Sequence, residues 1–115
     1  MRKKCVLVVE DDALLALDLE QIIRSGGSDE VVVVQTLLDA EQTLTRCRFD
    51  FAFLDVHLAD GKSYKIADIL EDHGVPFAFL SGNLRDPDIP QHLRHVPFLA
   101  KPYRPNLLNA MLRKI

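Results

Sequence analysis

The acidic run Glu10-Asp11-Asp12, the isolated Asp55, the hydroxyl of Ser81 and the ammonium of Lys101 each follow immediately on a short apolar segment of the chain. Carboxylates gathered within a few ångströms repel one another and are driven towards protonation unless a cation joins them. Mg2+ is the simplest such cation, because it takes hard oxygen ligands and keeps waters that phosphate oxygens can displace; Mn2+ suits the same donors. A carboxylate with one oxygen left free beside the metal can attack phosphorus and become an aspartyl phosphate. An ammonium and a hydroxyl then meet the charge that develops on the phosphoryl oxygens. Taken singly, each feature has a plain structural reading. Acids ahead of a helix commonly cap it and complement its dipole, and a Ser-Gly turn or a Lys-Pro pair is ordinary loop chemistry. The inference to a site rests on their order, one group after each of several strands.

The elements that must position these groups alternate regularly. Cys5-Val6-Leu7-Val8-Val9 is an apolar, β-branched run that stops at Glu10, as a strand buried on both faces does. Leu15, Leu19, Ile22 and Ile23 then recur at helical spacing, with an Asp as N-cap and Gly26-Gly27 as the stop. Four valines within Glu30 to Gln35 predict a second strand, and Thr36 with Asp39 resembles a capping box for a helix on Leu37, Ala40, Leu44 and Cys47. Phe51 to Leu54 is a third strand ending at Asp55. Gly61 breaks the loop after it, and Ser63 is placed to cap a helix carrying Ile66, Ile69 and Leu70 up to Gly74. Phe77 to Leu80 is a fourth strand ending at Ser81. The stretch from Asn83 to Pro97 holds Pro87, Pro90 and Pro97, which remove amide donors and predict mostly irregular chain with little more than one helical turn. Phe98-Leu99-Ala100 is a last strand, and Pro105 suits the first position of a closing helix on Leu107, Leu108, Met111, Leu112 and Ile115. The expected fold is α/β: a parallel sheet covered by helices on both faces, with right-handed crossovers and a ligand site beyond the carboxyl ends of the strands.

Composition narrows the function classes. The 115 residues suit one domain, and 48% hydrophobic with 27% charged residues excludes a disordered or fibrous chain. A net charge of -3, with no basic run beyond Arg2-Lys3-Lys4, argues against gripping nucleic acid. No apolar stretch reaches the length of a membrane span and no signal peptide precedes the first strand, so a cytoplasmic, membrane-free location is expected. Cys5 and Cys47 fall inside apolar periodic segments without metal-ligand spacing and read as buried free thiols of a reducing compartment.

These residues in this order resemble the receiver domain of two-component response regulators over essentially the whole chain. The resemblance implies a five-stranded parallel sheet of order 2-1-3-4-5, a flavodoxin-like, CheY-like three-layer sandwich. It implies that Glu10 and Asp11 are the acidic pair holding Mg2+ or Mn2+, with Asp11 the more direct ligand and Glu10 more often acting through water. Asp55 matches the phosphoacceptor and a further metal ligand, and His57 falls where the family supplies a backbone carbonyl. Ser81 matches the hydroxyl that senses the phosphoryl group, Lys101 the phosphate-binding lysine and Pro102 the usually cis proline behind it. Phe98 lies at the aromatic switch position and, lacking a hydroxyl, could act only by packing. The loop from Val56 to Gly61 is shorter than in common receivers. The run Pro76-Phe77-Ala78-Phe79-Leu80-Ser81-Gly82-Asn83 resembles the FAT GUY subfamily, which tends to lack a well-formed fourth helix; Leu80, Ser81 and Asn83 depart from its signature. Membership implies sensor histidine kinases of the HWE or a related type as phosphoryl donors.

The resulting expectation is a single-domain phosphoacceptor spanning residues 1–115, not a multiple-turnover enzyme and without an effector domain. It would signal to a downstream protein in trans or draw phosphate from a kinase. Homodimerisation through the last helix and strand is allowed, but no feature demands it. A pseudo-receiver that is never phosphorylated is the first alternative, opposed by the presence of Asp11, Asp55 and Lys101. A haloacid-dehalogenase-type phosphatase would want an acid where His57 stands, and a dinucleotide-binding domain would want a glycine-rich loop after the first strand. His92 and His95 have helical ligand spacing but no third ligand nearby and read as solvated surface. Tyr64 and Tyr103 read as packing residues with a wet tip, and Asp60 as a turn residue beside Gly61.

Overall fold

The computed structural model describes residues 4–27, 30–81, 88–101 and 104–113. Strands β1 (Cys5–Val9), β2 (Glu30–Val34) and β3 (Phe51–Asp55) alternate with helices α1 (Ala13–Ser25) and α2 (Leu37–Arg46). Two short strands, β4 (His57–Leu58) and β5 (Gly61–Lys62), form an antiparallel hairpin ahead of α3 (Tyr64–Asp72). Strands β6 (Phe77–Ser81) and β7 (Phe98–Ala100) and helix α4 (Pro105–Leu112) complete the chain. The main sheet is parallel, in the order β2-β1-β3-β6-β7. With the hairpin set aside this is the expected 2-1-3-4-5.

Alternate residues of each strand serve opposite faces. Leu7, Val9, Ala52, Leu54, Phe77 and Phe79 face α2 and α3, where Ala40, Leu44, Ile66, Ala67 and Leu70 close one core. Val6, Val8, Phe51, Phe53, Ala78 and Leu80 face α1 and α4, where Leu19, Ile23, Leu108 and Leu112 close the other. Burial on both sides is why these strands read as unbroken apolar runs.

The register decides where the polar groups emerge. Val9 pairs with Leu54, so Glu10 and Asp55 leave the sheet at the same level. Asp55 pairs with Leu80 and Ser81 with Ala100, which brings Ser81 and Lys101 to the same edge; the Lys101 amide donates to the Ser81 carbonyl at 3.0 Å.

The N-caps expected from the sequence form with one exception. Asp12 caps α1, accepting from the amides of Leu14 and Leu15, and Thr36 caps α2, accepting from Asp39. Ser63 holds the N-cap position of α3 but makes no capping hydrogen bond. Its backbone (φ -87°, ψ 13°) is not in the extended conformation that aims a cap side chain at the helix amides, and its buried Oγ has no partner among the described residues. The cysteines also differ from expectation: Cys5 is half-buried and Cys47 is exposed, because α2 ends at Arg46 and Cys47 has already turned extended (φ -127°, ψ 149°). Burial, chiefly, with the negative charges of Glu30 and Asp50 pushes the Cys5 thiol up, away from the reactive thiolate.

Residues 82–87, Asn83 among them, lie outside the described part, as do Pro102, Tyr103 and Ile115. In the remainder of the proline-rich stretch, the described helical structure is a single 3-10 turn at Gln91–Leu93, which starts after Pro90 and buries Leu93. Ile89, Leu93 and Val96 anchor it to the α3 face of the core. Among the described residues, the Leu93, Arg94 and Val96 amides here make three-residue bonds. Amide exchange of these three residues is expected to be faster than in the middle of α1 and α3. Protection equal to that of α1 would contradict this reading.

Candidate phosphoryl and metal site

Glu10 is completely buried and Asp55 is 6% exposed, and Lys101 reaches both. Its Nζ lies 3.0 Å from Glu10 Oε1 and 3.1 Å from Asp55 Oδ2. Backbone amides reach the second oxygens: the Asp12 amide donates to Glu10 Oε2 and the His57 amide to Asp55 Oδ1, each at 3.4 Å. Asp11 is exposed, and its Oδ2 accepts from the Ala59 amide at 3.0 Å. One carboxylate oxygen from each of Glu10, Asp11 and Asp55 lies within 4.8 Å of the others. Among the described residues this is the one acidic, histidine or cysteine cluster close enough to share a metal ion.

Three carboxylates thus face one ammonium. Burial first, then the hydrogen bond to Asp55, raises the Glu10 pKa, with Lys101 opposing. Burial works against the charge on Lys101, but the hydrogen bonds and charges of Glu10 and Asp55 outweigh it and raise its pKa. The two residues therefore affect stability differently. A carboxylate whose pKa is higher in the native state binds protons preferentially there, so the metal-free protein gains stability as pH falls through the raised Glu10 value towards 4.5. The Lys101 contribution is complete below 10.5 and is lost as pH rises through its raised value. In chelator-treated protein, Glu10→Gln is expected to lose the gain in urea-unfolding stability that wild type should show as pH falls through the raised Glu10 value towards 4.5. An identical pH slope in the variant would contradict it.

The donor set fits Mg2+ or Mn2+: hard carboxylate oxygens in surplus over the cationic charge, two of them on buried or nearly buried residues. Ser81 is buried at the adjoining strand end, 4% exposed. Phe98 is half-buried with its ring on Phe79, centroids 5.2 Å apart at 40°, and Tyr64 meets Phe79 edge-on at 5.8 Å. Pro102 is not among the described residues. The exposed imidazoles of His92 and His95 pair with carboxylates of α3, at 2.6 Å to Asp68 and 3.2 Å to Glu71, and join no metal-sized cluster.

Two contributors escaped the sequence. The Ala59 amide, 48 residues from Asp11 in the chain, has no side-chain signature at all. Asp60 is more than a turn residue: its carboxylate accepts from the Leu37 amide at the start of α2, at 3.2 and 3.1 Å.

The profile of the response regulator receiver domain matches residues 6–113. The chain is 26% identical over 110 residues to the phyllosphere-induced regulator PhyR of Methylorubrum extorquens, covering 93% of this chain and 41% of that protein. It is 32% identical, over an alignment of 119 residues, to the DNA-binding response regulator MtrA of Mycobacterium tuberculosis, covering 98% and 50%. The chain therefore spans about half the length of the curated relatives it matches. Among solved structures, a CheY-like receiver domain protein from Methanospirillum hungatei JF-1 superimposes with a TM-score of 0.85 at 20% identity, over 98% of this chain and 93% of that one. With its sheet order, its acidic edge and a profile match spanning almost every residue, the chain belongs to the response regulator receiver domain family.

Proposed function

We propose that Asp55 accepts a phosphoryl group from the phosphohistidine of a sensor histidine kinase and that the domain reports its charge to a protein partner. The observation that carries this reading is Lys101 Nζ within 3.1 Å of both Glu10 and Asp55, with Asp11 completing the acidic cluster. An Asp55 oxygen attacks phosphorus, the phosphorus–nitrogen bond breaks, and its electron pair returns to the kinase imidazole. Bound Mg2+ or Mn2+ would supply charge neutralisation between the carboxylates and the incoming phosphoryl oxygens. Glu10, Asp11 and Asp55 would hold that ion, with the His57 carbonyl as a further ligand.

Lys101 starts between two carboxylates and exchanges part of that pairing for a phosphoryl oxygen. The Ser81 hydroxyl donates to another. Ser81 ends strand β6 and Lys101 follows β7, so their displacement acts on Phe98 and on the segment that precedes it, where packing of the ring on Phe79 is the element to be switched. The domain consumes its own side chain in the reaction and is a phosphoacceptor, not a multiple-turnover enzyme. The FAT GUY-like run at 76–83 favours HWE-type kinases as donors. The net charge of -3 and the absence, among the described residues, of a helix long and apolar enough to cross a membrane favour a cytoplasmic signalling role through protein contacts.

The same Lys101 contacts give weight to one other reading. An ammonium already seated between Glu10 and Asp55 can satisfy the pocket without metal, which is what a non-phosphorylated interaction module would need. Incubation with acetyl phosphate or phosphoramidate, with and without Mg2+, separates the two by intact mass. A Mg2+-dependent phosphoryl adduct supports the phosphoacceptor; no adduct under any condition leaves the interaction module.

A further inference from the structure

We infer that Asp60 is a positioning residue for the metal-binding carboxylates, acting from outside the pocket by tying the β4–β5 hairpin to the start of α2. The inference rests on the metal reading above. The hairpin consists of two residue pairs, His57 with Lys62 and Leu58 with Gly61, which is too little pairing to hold its own shape. Its tip is Ala59-Asp60, and each residue there is tied to a different part of the molecule. The Ala59 amide donates to Asp11 Oδ2 at 3.0 Å, inside the acidic cluster. The Asp60 carboxylate points the other way and takes the Leu37 amide on both oxygens. Leu37 is the first residue of α2, so its amide has no partner within the helix.

Thr36 caps the same helix, but its hydroxyl serves the amide of Asp39, within α2. Packing supports the docking at the neighbouring position: Gly61, at φ +138°, lies so close that an added Cβ would stand 3.3 Å from Leu37 Cδ1. Asp60 itself is exposed, so its side chain contributes no core burial and its use is the polar tie. Once that tie is removed, the Ala59 amide at the tip is held less firmly, and the Asp11 carboxylate loses part of what fixes the amide that orients it. Partners that orient metal ligands from behind commonly change metal affinity by about ten- to a hundredfold.

The test titrates Mg2+ into the full chain, followed by amide NMR, and measures exchange of the Ala59 amide in the metal-free protein. Asp60→Ala is expected to weaken Mg2+ binding by about tenfold and to speed Ala59 exchange. Asp60→Asn keeps an acceptor oxygen and should stay within about threefold of wild type, which separates loss of the tie from loss of a negative charge. Thr36→Ala, which weakens the same helix terminus, should leave Mg2+ affinity unchanged while lowering thermal stability. Equal Mg2+ affinity in wild type and Asp60→Ala, or an equal loss in Asp60→Asn or Thr36→Ala, overturns the inference. Unchanged Ala59 exchange in Asp60→Ala overturns the tie itself. A wild type that binds no Mg2+ overturns instead the metal reading on which the consequence for affinity depends.

Discussion

Asp55→Asn is expected to abolish the phosphoryl adduct completely while leaving the fold intact. The amide has the same shape as the carboxylate but no anionic oxygen to attack phosphorus. Its carbonyl can still accept from Lys101 Nζ, now 3.1 Å from Oδ2, and with the NH2 at the other position what is given up is the long 3.4 Å bond from the His57 amide. One buried negative charge disappears from a pocket where three carboxylates face one ammonium. The metal-free variant should therefore unfold no earlier than wild type, and the result is read by intact mass after acetyl phosphate and Mg2+, beside a urea unfolding curve. A variant that is folded and still acquires the adduct would place the acceptor elsewhere.

Lys101→Met should produce the second large effect, on stability and signalling together. Glu10 Oε1 and Asp55 Oδ2 both rely on the ammonium at 3.0 and 3.1 Å. Removing one partner of a buried ion pair typically costs about 3–5 kcal/mol; because the Lys101 side chain is 21% exposed, solvent screening reduces the expected loss to about 1–3 kcal/mol. The cost should be largest at neutral pH without metal and smaller at acid pH, where Glu10, whose pKa is already raised, takes a proton. Mg2+ offers the same carboxylates a cation, so it should raise the melting temperature of Lys101→Met more than that of wild type. Adduct formation should slow, and the chemical shifts around Phe98 should no longer respond to the phosphoryl group. Lys101→Arg is not a neutral control, since a planar guanidinium cannot occupy the place of a compact ammonium. Equal stability of Lys101→Met and wild type in chelator would mean that the carboxylates do not depend on Lys101.

The sheet and its acidic edge were legible in the sequence for the same reason. Strands buried on both faces read as unbroken apolar runs, so their ends are sharp, and Glu10, Asp55, Ser81 and Lys101 stand at those ends. The in-register parallel pairing of β1, β3, β6 and β7 then brings the four to one edge. What escaped has no local pattern. Two-residue strands such as His57–Leu58 and Gly61–Lys62 are too short to show alternation. The Asp11–Ala59 and Leu37–Asp60 bonds join residues 48 and 23 positions apart, one of them through a backbone amide that every residue possesses. Ser63 has the right residue type for a cap and the wrong backbone angles, a distinction that residue type alone does not carry. Cys47 continues the helical spacing of α2 but falls one residue beyond its last turn, and so faces solvent instead of the core.

The most direct test is to locate the phosphoryl group by chemistry. Borohydride reduces an aspartyl phosphate to homoserine, and peptide mass spectrometry then reads the position. After treatment with phosphoramidate and Mg2+, an Asp55 phosphoacceptor gives homoserine at position 55, none elsewhere, and none when Mg2+ is chelated. Homoserine at another acidic residue, or an unmodified position 55 in folded, Mg2+-bound protein, would contradict it.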